Sequence, residues 1–407
     1  MERDVVRRIP SKLLVGGGFG IVSILVGIIL LTPPADQYEI SIYQVFPWYF
    51  WAMLIASTVV GQVLILRSAF TDGKSSAVWQ LGILLTLLCN SILVFMPYLR
   101  GYTYFERADV LTHLGLIRIT QTTGTFSAEN IYPNIHQLVL SLSYATGLEP
   151  MRVINAVSGV VSIFSILSAI ALVATVYDRR RALFSIPFVC LLIGGTGHMN
   201  ASPFAQSMLI FPFVLYLFVK EQQTHGLAIR LALVVSLVAL VIYHPLTTLF
   251  ALVFFTIYAV FQTSTVRNAL LSSDSTSSAL TGSGTVHRLT LGTFIVWYYN
   301  FAGILIRAES VLTTLFGSSD SESQLDAYSS TVSRTSPALV DLFRILLLEY
   351  GISMILLGIS GLHFSKMLVE RARGRISKNV FELSFSAAAM AFAGVSVLFL
   401  LFDLIVG

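Results

Sequence analysis

Residues 13–32 read LLVGGGFGIVSILVGIILLT, a run without a single charged side chain. An α-helix rises about 1.5 Å per residue, so about 20 apolar residues cover the roughly 30 Å of bilayer hydrocarbon. Arg3, Arg7, Arg8 and Lys12 precede the run. It is longer than the core of a secretory signal and lacks a small-residue cleavage site before Pro33, so it reads as an uncleaved first membrane helix.

The pattern recurs along the chain. Of 407 residues, 55% are hydrophobic and 11% charged, with a mean hydropathy of +0.80, whereas soluble domains carry about 25% charged residues. Further apolar runs occupy 47–66, 77–97, 153–176, 183–199, 204–219, 230–243, 246–262, 291–306, 338–362 and 381–405. Short alternating segments of the β-barrel kind are absent. The expectation is an all-α polytopic membrane protein of about 11 transmembrane helices, forming one transmembrane domain over 1–407 with no separate soluble domain.

Positive charge sets the expected orientation. If the N-terminus is cytoplasmic, the basic clusters at Arg3 to Lys12, Arg179 to Arg181 and Arg371 to Lys378 all fall inside, as the positive-inside rule requires. A multi-pass plasma-membrane protein is expected. The net charge of +4 then reflects this bias and contacts to anionic lipid, not a nucleic-acid partner. Cys89 and Cys190 lie inside apolar runs, without metal or redox spacing, and read as packing residues.

Polar character gathers in the outward segment 98–152. Its centre, ERADVLTHLGLIR over 106–118, has helical periodicity: Val110, Leu111, Leu114 and Ile117 form an apolar stripe, with Glu106, Asp109 and His113 three and four apart. A helix on the membrane surface is expected there, with Arg107 and Arg118 free to address phosphate. Pro133 starts a second short helix carrying His136. His198 and His244 sit at the outer ends of later runs, and Arg307 and Arg344 are cations at or inside membrane depth, where charge is costly unless it faces a partner or a cavity. Asp109 and His113 are also the donor types of a divalent-cation site, although a tight motif such as HExxH is absent. No phosphate-binding glycine-lysine loop is present, and Gly16, Gly17, Gly18 and Gly20 read as helix-packing positions. The Ser/Thr-rich stretches 263–288 and 317–337 read as a cytoplasmic linker and a mobile outward loop.

The stretches Glu106 to Gly115, Tyr132 to His136 and Tyr243 to Leu246 resemble the multispanning glycosyltransferases that use polyprenyl-phosphate sugar donors, those of the type C fold, and especially their relatives in halophilic archaea. The resemblance implies an inverting transfer of a sugar to an acceptor hydroxyl on a glycan, lipid or protein outside the cytoplasm. It places the acid–base role on Asp109, with Glu106 second. Donor and acceptor contacts would fall to Arg107, His113, His136, His198, His244, Arg307 and Arg344. Two helices precede the loop-bearing one, whereas many members carry that loop after the first helix. The competing classes are a secondary transporter or lipid flippase, which would show an inverted repeat of broken helices, and a structural or assembly protein.

Overall fold

The computed structural model describes residues 10–37, 39, 41–70, 77–102, 109–126, 130–190, 199, 201–263, 265–266, 283–301, 339–372 and 380–406. Among them every regular element is an α-helix, and the protein is an all-α polytopic membrane protein. Six of the described helices are long and apolar enough to cross a bilayer. Two more, Val78–Val94 and Leu227–Tyr243, are shorter and equally apolar. Each expected run falls on a helix, and in 183–199 and 291–306 only the first part lies within the described residues. The chain divides into two compact units, residues 1–233 and 234–407.

The first unit begins with α1 (Ser11–Leu31), α2 (Trp48–Phe70) and α3 (Val78–Val94). Small residues let these helices approach closely. A Cβ on Gly61 would lie 2.9 Å from the Gly82 carbonyl oxygen, and one on Gly82 would lie 2.7 Å from the Gly61 carbonyl oxygen, so only glycine fits at this crossing of α2 and α3. Gly18 of α1 faces Leu85 in the same way, and its carbonyl accepts the Ser57 hydroxyl at 3.2 Å. With lipid supplying no hydrophobic drive between helices, close contact of this kind is what holds them. A core of Leu25, Phe46, Phe50, Leu85 and Met96 fills the space towards the α1–α2 connection.

A single turn, α4 (Met96–Leu99), leads to α5 (Asp109–Thr123) and α6 (Pro133–Thr146). Pro133 opens α6 where its missing N–H costs nothing, and Gly147 closes it in the left-handed conformation at φ 70°, the form glycine adopts freely. Then come α7 (Pro150–Val176), α8 (Arg179–Val189) and α9 (Pro203–Thr224). Both α5 and α6 pack on α7, which also meets α3, α8 and α9. The buried Asn90 amide donates to the Cys190 carbonyl at 2.6 Å, tying α3 to the end of α8.

The boundary between the units falls in α10 (Leu227–Tyr243). The second unit continues with α11 (Pro245–Gln262), α12 (Ser283–Tyr298), α13 (Leu339–Ala372) and α14 (Val380–Val406). Here α11 is central, packing on α12 and on α14, the latter through an aromatic seam that pairs Phe254 with Phe385 and Phe250 with Phe392. The Tyr298 hydroxyl donates to the Val241 carbonyl at 2.6 Å. Helix α12 starts at Ser283, inside the stretch expected as linker, because its one apolar side, including buried Val286, has a packing partner in α11.

Candidate functional site

The buried face of α5 is formed by Val110, His113, Ile117 and Thr120. This spacing of three, four and three makes one continuous stripe, and it differs from the stripe expected from hydropathy. Leu111 is 58% exposed, and His113 is 5% exposed. A buried imidazole needs hydrogen-bond partners, and α6 supplies one. His113 Nδ1 lies 3.0 Å from His136 Nε2, and His136 is completely buried. Asn130, just before α6, places its Nδ2 2.8 Å from His136 Nδ1, while its Oδ1 accepts the Tyr132 N–H at 3.1 Å. The Tyr132 ring stands edge-on to His113 with centroids 5.9 Å apart.

Burial, and then the neighbouring His113, hold the His136 ring well below the usual histidine range, at about 3. His136 is therefore neutral at physiological pH. In an unfolded chain the same ring would take up a proton near pH 6.5. The native state binds fewer protons below that value, so its stability is complete above pH 6.5 and falls as the pH drops towards about 3. We predict that the thermal midpoint in detergent declines between pH 7 and pH 5, and that His136→Gln, which cannot titrate, flattens the decline. The same slope in both proteins would locate the pH dependence elsewhere.

A second polar knot stands at the entrance to this segment. The Arg100 side chain, 4% exposed, places Nη2 2.6 Å from Glu39 Oε1, and its Nη1 donates to the Pro33 carbonyl. The Tyr102 hydroxyl reaches Glu39 Oε2 at 3.2 Å and accepts the Glu39 N–H at 3.0 Å. Arg100 also gives its carbonyl to the Ala35 N–H at 2.8 Å. Between them Gly101 turns the chain at φ +80°, with any Cβ there 2.9 Å from Pro34. The α1–α2 connection is thereby fastened to the strand of chain that leads into α5.

Along α5 an open groove of about 500 Å³ runs against the start of α7, lined by Leu114, Ile117, Arg118, Gln121 and Met151 among others. Arg118 is nine residues beyond Asp109, which at about 100° per residue is half a turn around the helix. The groove and the Asp109 face of α5 are therefore different sides.

The expected site residues divide accordingly. His113 and His136 are brought together. Asp109 is the first residue of α5, one turn before His113, and its side chain lies outside the described residues. Glu106, Arg107, His198 and Arg307 lie outside them as well, as does loop 317–337. Arg344 lies in α13, and its side chain is likewise outside the description. His244 belongs to the second unit, where its Nδ1 accepts the Leu246 N–H at 3.3 Å and caps α11. No group of three His, Cys, Asp or Glu that could hold a metal ion occurs among the described residues. Asn130, Arg100 and Glu39 were not singled out by the sequence. The only local cue is Asn130-Ile131-Tyr132-Pro133, an Asx turn in front of a proline-started helix.

Apolar helices of spanning length, with buried polar knots in the segment between α1 and α7, define a polytopic membrane protein. Residues 28–357 match the model of a family of unknown function (DUF6541), and the chain belongs to that family. The matched region contains both knots. No curated protein and no solved structure matches the chain at a significant level.

Proposed function

We propose that the protein transfers a sugar from a polyprenyl-phosphate donor to an acceptor hydroxyl at the N-terminal end of α5. The observation that carries this reading is the hydrogen-bonded His113–His136–Asn130 chain, which locks the first turns of α5 onto α6 beside α7. Asp109 starts that locked helix. A carboxylate held in one place can take the acceptor proton as the acceptor oxygen bonds to the anomeric carbon. The bond from that carbon to the phosphate oxygen breaks, and polyprenyl phosphate leaves with the electron pair. The configuration inverts. A cation beside the leaving phosphate would stabilise the charge that develops there.

Binding alone offers a first test. A donor that engages the folded state raises its stability by RT ln(1 + [L]/Kd), about 2.7 kcal/mol at a hundredfold excess over Kd. Prenyl-phosphate sugars should raise the thermal midpoint of the detergent-solubilised protein more than free prenol or free sugar phosphate. Equal effects of prenol and donor would mean that only the tail is recognised, and would favour the flippase reading.

The chemistry also requires α5 to face away from the cytoplasm, in a plasma membrane with the N-terminus inside. Both native cysteines are buried, so introduced thiols report cleanly. Thr122→Cys should react with an impermeant maleimide in intact cells and Lys366→Cys only after lysis, both positions being exposed. Labelling of Lys366→Cys from outside would reverse the topology.

A further inference from the structure

We infer that Asn130 is a positioning residue that sets the direction of the hydrogen bonds through both histidines, so that His113 presents an Nε2–H towards the Asp109 end of α5. The Tyr132 N–H can meet only an oxygen, and it meets Asn130 Oδ1 at 3.1 Å. That contact fixes the amide, and the atom facing His136 Nδ1 at 2.8 Å is the Asn130 NH2. A donor there requires a lone pair on Nδ1, so the neutral His136 ring carries its proton on Nε2. This proton points at His113 Nδ1, 3.0 Å away, which must in turn be the bare nitrogen. The His113 proton is left on Nε2.

His136 is fully buried and both its nitrogens are engaged, so water cannot supply an alternative partner. Helical side chains lean towards the N-terminus of their helix, which tilts His113 towards the turn that begins at Asp109, four residues earlier. Under the transferase reading, on which the functional half of this inference rests, that N–H is presented to the end of α5 where the acid–base group belongs. The logic parallels any base whose orientation and protonation are fixed by a neighbour.

The sharpest probe is Asn130→Asp. The carboxylate keeps an acceptor for Tyr132 and places a second acceptor against His136 Nδ1. With the His136 ring kept neutral by its burial, both rings then reverse, leaving His113 with a bare Nε2. Solid-state NMR of 15N-histidine-labelled full-length protein in lipid bilayers reads this directly, with His113→Gln and His136→Gln used to assign the two rings. The parent should show Nε2-protonated rings at both positions, and N130D should move both to the Nδ1-protonated form. In transfer assays N130D should lose about 100-fold in kcat with little change in donor KM. A parent His113 protonated on Nδ1 overturns the inference whether or not N130D folds. So do reversed rings in N130D with parental kcat, because the tautomer would then position nothing. If the parent transfers no sugar, the transferase reading fails, and the parent's ring protonation still decides which way the hydrogen bonds run.

Discussion

Asp109→Asn should lower sugar transfer by about 100-fold or more while leaving membrane insertion and thermal midpoint near the parent's, since a positioned acid–base group contributes about 10²- to 10⁴-fold. The replacement is nearly isosteric and sits at the first position of α5, while the contact with α6 is made by His113 and His136. Asparagine can still donate or accept a hydrogen bond, but it cannot take the acceptor proton. The loss should therefore appear in kcat more than in donor KM. Glu106→Gln should have a smaller effect. Parental kcat in D109N would remove Asp109 from the mechanism.

The largest stability effect is expected at the Arg100–Glu39 knot. Removing one partner of a buried ion pair costs about 3–5 kcal/mol, because the other charge is stranded. The two removals are not equivalent here. The Arg100 side chain is 4% exposed and the Glu39 side chain 26%, so a stranded carboxylate recovers more hydration than a stranded guanidinium. Glu39→Ala should therefore cost about 3–5 kcal/mol and Arg100→Ala about 2–3. The double variant should be less damaging than the sum. Arg100→Lys should recover only part, since one ammonium cannot reach the Pro33 carbonyl and Glu39 in the arginine's forked geometry. Unfolding in detergent measures all four. A parental midpoint in E39A would mean that the guanidinium is solvated and that the knot does not hold the α1–α2 connection.

The membrane helices were legible because their apolar runs are continuous and the bilayer fixes their length. Helices α5 and α6 were legible in existence and less so in orientation. Hydropathy counts histidine as polar, so His113 was placed with Glu106 and Asp109 on the wet side of α5, and Leu111 on the buried side. The structure turns the helix so that His113 is inside and Leu111 outside, because His136, itself held by Asn130, satisfies the imidazole. That partnership spans 23 residues and leaves no local periodicity to read. The Arg100–Glu39 pair spans 61, and neither residue belongs to a helix whose face could have announced it. The start of α12 at Ser283 was hidden for a related reason: Ser and Thr lower the hydropathy of a segment whose helix is held by packing on α11.

Under the proposed function this membrane protein is a transferase with its acid–base group at the head of α5. Purified protein in proteoliposomes, supplied with polyprenyl-phosphate-linked sugars and hydroxyl acceptors, measures it most directly through the release of polyprenyl phosphate. The account predicts release coupled one to one with glycosylated acceptor of inverted anomeric configuration, and near loss of both in D109N. Movement of intact donor across the bilayer without release, at the same rate in D109N and parent, would contradict it.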